Sequence, residues 1–201
     1  MSAKLKIKQK GVIVFGVLFL ISQERKMIEI KRITEEHKGD INLPNEPFEL
    51  HGRMIPTYDG KAWSYTTEEF PKNEVTTMVF PDEDYDYDEM AKEYVFIGAY
   101  EGEKCVGLAI YKRDWFKFLY LEDLKVSGEY RGHGVGRRLI TEGQKIAHEM
   151  GLIGQYTIGQ DNNLNACLFY IGCGFEIGGL NTRVYEGTRQ EGKSDIYFYL
   201  K

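Results

Sequence analysis

The chain has 201 residues, of which 42% are hydrophobic and 28% are charged, an ordinary composition for a folded domain with a buried core. Its formal net charge of -5 leaves no basic surplus to neutralise phosphates, which argues against nucleic acid as a partner. The odd set Cys105, Cys167 and Cys173 lacks paired spacing, so we expect reduced thiols in a cytoplasmic protein and no metal site.

Residues 1–26 have the layout of a targeting signal without all of its parts. Lys4, Lys6, Lys8 and Lys10 precede the apolar run 11–21, as in a signal peptide. That run is shorter than the ~20 residues that span a bilayer, and no small-residue cleavage site follows it. We predict that residues 1–26 lie outside the fold, that residues 27–201 form a single domain, and that the protein makes no stable membrane association. An export signal or a membrane tether is the alternative.

The first elements along the chain are a strand and a loop-rich segment. Ile28 and Ile30 alternate with charged residues and predict a strand over 28–33. Four prolines in 34–75 predict loops around one or two short helices. The segment 81–89 is strongly acidic and includes Tyr85 and Tyr87. It suits either attraction of a cationic ligand or a hydrated loop that keeps the protein soluble.

From residue 94 the pattern predicts an α/β (α+β) domain, in which an antiparallel meander is followed by alternating helices and strands. A long helix ends at Gly151, and a short helix begins at Asn162 or Asn163. The predicted strands occupy 94–100, 105–111, 116–126, 152–158, a segment from 175, and 195–200.

A glycine-rich loop at Arg131–Gly136 opens the long helix. Its glycines, Gly132, Gly134 and Gly136, allow the main chain to approach a ligand closely. The helix start offers free N–H groups and a positive dipole end, and arginines flank the loop. A Walker loop is excluded because Arg137 follows Gly136, and the dinucleotide fingerprint fails because its third glycine would fall at Arg137.

The motif Arg131-x-x-Gly134-x-Gly136, with Asn163, Tyr170 and Gly174-Phe175 downstream, resembles the GNAT acetyltransferase superfamily over about residues 90–180. The segments Glu122–Val126, Tyr130–Gly132, Gln160–Asn163, Gly178–Leu180 and Val184–Gly187 are more similar to the streptothricin acetyltransferases within it. The resemblance implies a mixed, mostly antiparallel sheet flanked by helices.

The resemblance also implies acetyl-CoA as co-substrate and a set of residues that binds it. Leu124 and Val126 would pair through their main chains with the pantetheine arm. Asn163 would lie near that arm, or would simply cap the second helix. The pyrophosphate would be held by a run of loop residues: Arg131, Gly132, His133, Gly134, Val135, Gly136 and Arg137.

Three residues are the catalytic candidates. In the family, a tyrosine at the position of Tyr170 often protonates the departing thiolate, although an aromatic packing role is the alternative. Glu122 and Asp123 are candidate proton acceptors for the amine. Strand alternation predicts that they point to opposite faces and that Glu122 shares its face with Leu124 and Val126, unless a bulge inverts the pattern.

We therefore expect an N-acetyltransferase that modifies the β-lysine amine of streptothricin, acting as a monomer or homodimer. Alternative acceptors are a polyamine, an aminoglycoside-like drug or a protein lysine. A non-catalytic acyl-CoA sensor is the rival class.

Overall fold

The computed structural model describes residues 27–201, so the prediction that residues 1–26 lie outside the fold falls outside the described residues. The strands, in chain order, are β1 (Ile28–Arg32), β2 (Phe48–Leu50), β3 (Gly52–Tyr58), β4 (Trp63–Glu69), β5 (Thr76–Met78), β6 (Tyr94–Glu101), β7 (Lys104–Arg113), β8 (Phe118–Val126), β9 (Gly154–Gln160), β10 (Glu176–Asn181) and β11 (Asp195–Leu200). The α-helices are α1 (Tyr87–Met90), α2 (Val135–Glu149) and α3 (Leu164–Gly172), and 3-10 helices occupy Glu35–Asn42 and Gly128–Tyr130.

Seven strands of the described chain form one sheet in the order β1-β6-β7-β8-β9-β11-β10. Neighbouring strands pair antiparallel throughout, except that β8 and β9 run parallel. The helix α2 connects these two strands, because parallel strands need a crossover connection. The mixed, mostly antiparallel sheet and the α/β class expected from the sequence are confirmed.

The long helix packs against one face of the sheet along the apolar stripe seen in the sequence. Residues Leu139, Ile140, Gly143, Ile146 and Ala147 of α2 are buried, and all but Gly143 belong to the main hydrophobic core. Because these positions recur every three or four residues, one side of the helix meets the sheet. Gly151 has a φ of 71°, the left-handed conformation that ends a helix, as predicted.

A second, smaller core lies on the opposite face of the first half of the sheet. It consists of buried side chains from β6, β7 and the segment after β1: Ile33, Ile41, Phe96, Tyr100, Cys105, Leu108 and Ile110. Tyr85, Tyr87 and Met90, from the acidic segment and α1, pack against it. The acidic segment therefore covers part of the sheet.

The expectation of loops and short helices for residues 34–75 is wrong in large part. Only Glu35–Asn42 is helical there, whereas β3 pairs with β4 as a hairpin and β2 pairs with β5. The hairpin is largely exposed and contains Pro56, which weakened the strand signal. The sequence pattern that could have predicted this hairpin is Asp59-Gly60, a dipeptide typical of tight turns. In the structure, the Asp59 carboxylate accepts hydrogen bonds of 2.8 Å from the N–H groups of Lys61 and Ala62.

All three cysteines are free thiols, and Cys105 and Cys167 are buried. Burial raises the pKa of Cys167 to about 12, so this thiol stays protonated at neutral pH.

Gly143 allows α2 to lie close to the sheet, because a Cβ on this residue would collide with the ring of Tyr111. That ring is fixed, since its hydroxyl donates to Gln155 Oε1 at 2.9 Å and Gln155 Nε2 donates to the Ile140 carbonyl at 2.9 Å. We expect Gly143→Ala to lower the free energy of unfolding by about 1–3 kcal/mol, although alanine favours helices. Urea denaturation measures this, with Gly172→Ala as a control where a Cβ has room. Equal stability of Gly143→Ala and the wild type would contradict the packing argument.

Candidate active site

The parallel pair β8–β9 opens into a fork. Parallel pairing covers only Phe118–Leu121 against Gly154–Thr157, although β8 continues to Val126 and β9 to Gln160. On their outer sides, β8 remains paired with β7 and β9 with β11.

We call the segments 122–126 and 158–160 the fork. Their inner sides have no strand partner in the described chain, although the Val126 carbonyl accepts from Arg131 and the Gln160 carbonyl accepts from Asn163 and Cys167. The remaining inner main-chain groups are available to an extended ligand.

The glycine loop lies between β8 and the start of α2. Gly132 and Gly134 have φ values of 74° and 80°, the left-handed region that favours glycine. A Cβ on either residue would meet nothing within 4 Å, so the loop surface is open. In the described part of the chain, the main-chain N–H groups of 132–137 have no recorded acceptor; the first helical bond runs from Arg138 to Gly134. This arrangement can bind an anion such as a diphosphate.

The third glycine has a packing role. Gly136 is buried, and a Cβ there would lie 2.9 Å from Cζ of Phe169 in α3. Val135 is also buried, with its side chain in the main core. Gly136 therefore allows α2 and α3 to touch, while Gly132 and Gly134 shape the loop.

The basic residues around the loop already contact the protein. Arg131 Nε donates to the Val126 carbonyl at 2.9 Å, and one terminal nitrogen donates to the Pro47 carbonyl at 3.1 Å. Arg137 donates to the Gly172 carbonyl at the end of α3, and His133 Nδ1 lies 2.8 Å from the Arg131 carbonyl oxygen. These contacts hold the loop against the fork and α3. Contact of these side chains with phosphate stays a prediction.

Tyr170 lies beside the point where the fork begins. Its ring packs against Phe169, Phe175 and Phe198 at 5.5–5.6 Å, and it approaches Gly159 of β9. Thr157, in the last parallel pair, donates its hydroxyl to the Leu121 carbonyl at 2.9 Å. Burial raises the pKa of Tyr170, while a hydrogen bond with Thr157 acts in the opposite direction. The phenol is therefore protonated at neutral pH.

A buried charge cluster stands on the β8 arm of the fork. Lys125 Nζ lies 3.2 Å from Asp123 Oδ2, contacts Glu83 Oε2 closely and donates to the Leu43 carbonyl at 3.2 Å. Asp123 Oδ2 is buried, and its recorded contact among the described residues is the ion pair with Lys125. Burial raises the pKa of Asp123, Lys125 lowers it and Glu83 raises it. Asp123 is therefore already paired with an internal cation, and the net upward shift of its pKa favours proton uptake.

A β-bulge corrects the predicted orientation of Glu122. Ile110 pairs with Asp123 and Tyr111 with Leu121, so Glu122 is the extra residue. Leu124 and Val126 pack against the main core, whereas Glu122 is exposed and does not share their face. Both Glu122 and Asp123 raise the pKa of Tyr85, although its burial has the larger effect. The two carboxylates thus both act on Tyr85, and the side chains of β8 do not alternate between the faces of the sheet at the bulge.

The acidic segment 81–89 is more than a hydrated loop. Asp82 accepts the Asn45 N–H at 2.6 Å, Glu83 pairs with Lys125, and Asp86 caps α1. The centre of the Tyr85 ring lies 5.9 Å from Lys125 Nζ. The sequence analysis missed Lys125 and Glu83, because their 42-residue separation gives no local signal.

Asn163 is the N-cap of α3, since its side chain accepts the Ala166 N–H at 3.2 Å. This agrees with the capping alternative, and proximity to a pantetheine arm stays a prediction. Among residues 27–201 the structure has no group of three or more His, Cys, Asp or Glu that could hold a metal ion. None of the described helices is long and apolar enough to cross a membrane.

Comparison with known proteins identifies the class of this fold and site. Residues 61–175 match the model of the acetyltransferase (GNAT) family. The chain belongs to this family and is an N-acetyltransferase that uses acetyl-CoA as co-substrate.

Two relatives are streptothricin acetyltransferases. One is streptothricin acetyltransferase A of Bacillus subtilis, 33% identical over 86% of this chain and 99% of that protein. The other is a streptothricin acetyltransferase of Escherichia coli, 29% identical over 80% of each chain.

Two solved structures are similar over most of their length. One is a Bacillus anthracis protein assigned as a streptothricin acetyltransferase and solved with acetyl coenzyme A, with a TM-score of 0.75 and 27% identity. The match covers 87% of this chain and 97% of the Bacillus anthracis chain. The other is nourseothricin acetyltransferase, with a TM-score of 0.69, 26% identity and coverage of 86% and 97%.

The left-handed glycine at the start of α2 provides a test of the loop. We expect Gly134→Ala to weaken acetyl-CoA binding about 10-fold, because a Cβ costs about 1–2 kcal/mol in this conformation and shifts the free N–H groups. Isothermal calorimetry measures the dissociation constant. Gly151→Ala is the matched control, with the same strain (φ 71°) at the far end of α2. Equal losses of affinity in both variants would contradict a binding role for the loop.

Proposed function

We propose that the protein acetylates a primary amine in the β-lysine moiety of streptothricin and thereby confers resistance to the antibiotic. The observation that carries this proposal is the pair of carboxylates that the β8 bulge places at the fork, exposed Glu122 and half-buried Asp123, both of which act on the Tyr85 ring. Such a group of carboxylates and an aromatic ring suits an ammonium group. The streptothricin acetyltransferases among the relatives support the same acceptor. Acetylation removes one positive charge from the drug.

Under this proposal the glycine loop and the fork bind the donor. The free N–H groups from Gly132 to Arg137 receive the diphosphate, and the main chain at Leu124 and Val126 pairs with the pantetheine arm. Acetyl-CoA supplies the thioester that is cleaved. The loop and the fork together direct that thioester towards Tyr170.

Proton transfers by Asp123 and Tyr170 complete the proposed reaction. An amine with a pKa near 10.4 is almost entirely charged at pH 7, so it must lose a proton before it attacks. Asp123 accepts that proton. The new C–N bond forms as the C–S bond breaks, and the Tyr170 hydroxyl gives a proton to the departing thiolate. The second proton of the amine then restores the Tyr170 phenol, and Asp123 releases the first proton to solvent. One proton is released in total.

The acceptor is tested by incubating the full chain with acetyl-CoA and a panel of amines, followed by mass spectrometry. We expect a mass gain of one acetyl group on the β-lysine part of streptothricin. Good turnover of a polyamine, an aminoglycoside-like drug or a protein lysine without turnover of streptothricin would overturn the proposed acceptor. An absence of thiol release with every amine would favour a sensor.

Removing the phenol should slow the reaction without affecting donor binding. We expect Tyr170→Phe to lower kcat by about 10²–10⁴-fold with an unchanged dissociation constant for acetyl-CoA, because only the proton donor is lost. Thiol release and calorimetry provide the two measurements. Tyr58→Phe, which removes an exposed phenol at the tip of the β3–β4 hairpin, is the control. An unchanged kcat in Tyr170→Phe would show that Tyr170 only packs.

Asp123 and Glu122 should differ in their effects. We expect Asp123→Asn to lower kcat/KM about 10²–10⁴-fold at pH 7 and to lose less at pH 10, where about a third of the amine is already neutral. Glu122→Gln, which alters an exposed carboxylate, should mainly raise KM. In the wild type, activity should decline with acid at a pH above 3.8, because burial raises the pKa of Asp123 above this ordinary value. A larger loss of kcat in Glu122→Gln than in Asp123→Asn would mean that Glu122, and not Asp123, accepts the proton.

A further inference from the structure

We propose that a strip of aromatic side chains on the face of the sheet opposite α2 extends the acceptor site and binds the remote part of a polycationic acceptor. The proposal rests on the proposed function, since it deepens the choice of a cationic amine. We call this strip the aromatic ladder: Phe116, Phe118, Tyr120, Tyr156 and Tyr199.

The ladder is continuous across three strands. The ring centre of Tyr156, in β9, lies 4.8 Å from that of Tyr120, 4.9 Å from that of Phe116 and 5.6 Å from that of Tyr199. Phe118 lies 5.1 Å from Tyr199. The alternate residues Leu119, Leu121, Ile196 and Phe198 are buried in the main core, so the ladder occupies the opposite face. Tyr156 is buried under its neighbours, which leaves the other four rings partly exposed.

One end of the ladder reaches the reaction centre. Tyr120 lies two residues before Glu122, and burial raises its pKa to about 12, with Glu122 and Asp195 adding to the effect. Glu122 and Asp195 lie on the same face of the sheet as the ladder, because the intervening Leu121, Ile196 and Phe198 are buried in the main core. Lys112, which also interacts with Glu122, is already placed 3.7 Å from Glu93 and over the Tyr94 ring at 5.1 Å.

The other end of the ladder carries a further carboxylate. Asp114 accepts the Tyr156 hydroxyl at 2.6 Å and the Trp115 N–H at 2.7 Å, and no ion pair to it is recorded within residues 27–201. Trp115 is 91% exposed and its ring lies 5.3 Å from Phe116. Aromatic rings between carboxylates at both ends are complementary to a chain that bears several ammonium groups.

Elsewhere the protein places its own lysines over tyrosine rings. Lys31, Lys112, Lys104 and Lys125 lie 4.3–5.9 Å from the ring centres of Tyr100, Tyr94, Tyr130 and Tyr85. In the described part of the chain, no such contact is recorded for the rings of the ladder. Their exposed faces are thus available to ammonium groups of a ligand. The ligand class is an extended acceptor with two or more such groups.

Two substitutions at the remote end test the ladder. Asp114→Asn removes the charge but keeps an acceptor for the Tyr156 hydroxyl, and Phe116→Leu removes a ring face but keeps an apolar side chain. Glu142→Gln, on the opposite side of the sheet in α2, is the matched control for charge. Streptothricin and spermine are the two probes, and calorimetry on the protein saturated with CoA gives their dissociation constants.

We expect both variants to weaken binding of the probes, with unchanged CoA affinity and unchanged kcat at saturating acceptor. For Phe116→Leu the loss should be about 3- to 30-fold, the range for one cation–π contact, and for Asp114→Asn the loss should shrink as salt is added. Unchanged binding in both variants, or no binding of either polycation by the wild type, would overturn the ladder. Weaker spermine binding without acetylation of streptothricin would support the ladder and reject the proposed acceptor. Analytical ultracentrifugation adds a further outcome: dissociation of a homodimer in the variants, with unchanged probe binding, would make this face a subunit interface.

Discussion

The early end of the pairing between β8 and β9 is the constraint on which the rest of the site depends. Their four parallel pairs stop at Leu121 and Thr157, while each strand remains held by an outer antiparallel neighbour. A strand bonded on only one side leaves polar main-chain groups that require a partner. The candidate functional groups lie around this gap. They are the loop at the start of α2, Tyr170 beside Gly159, and the carboxylates on the β8 arm.

The two faces of the sheet carry opposite chemistry. On one face, helix N–H groups and a left-handed loop create a surface for anions. On the other, burial raises the pKa of Tyr85, and Asp123, Glu83 and Glu122 raise it further through their negative charge. Lys125 makes this concentration of negative charge tolerable within the fold, because it contacts both Glu83 and Asp123 while almost fully buried. The proposed donor and acceptor would thus meet their opposite charges on opposite sides of one gap.

The sequence predicted those parts of the molecule that rest on local patterns. The apolar stripe of α2, the strands from β6 to β8 and the glycine loop each have a short repeat or a characteristic residue order. The sequence did not predict the four strands from β2 to β5. The side chains of β3 and β4 are mostly exposed, so they do not alternate regularly between core and solvent. The contacts of Arg131 with Pro47 and of Lys125 with Glu83 join residues 84 and 42 positions apart, and no local pattern encodes them. Gly136 was predicted as part of a ligand loop, whereas its lack of a side chain is needed by Phe169.

The bulge at Glu122 separates this residue from the regular pairing on either side of it. Leu121 lies opposite Tyr111 and Asp123 lies opposite Ile110, so a deletion of residue 122 would join two segments that already face correctly. A one-residue deletion between Leu124 and Val126, where the pairing is regular, would instead reverse the facing of the residues after it and take Val126 out of the core. Descendants of this chain are therefore free to vary or lose position 122, but they must conserve the length of the strand that follows it.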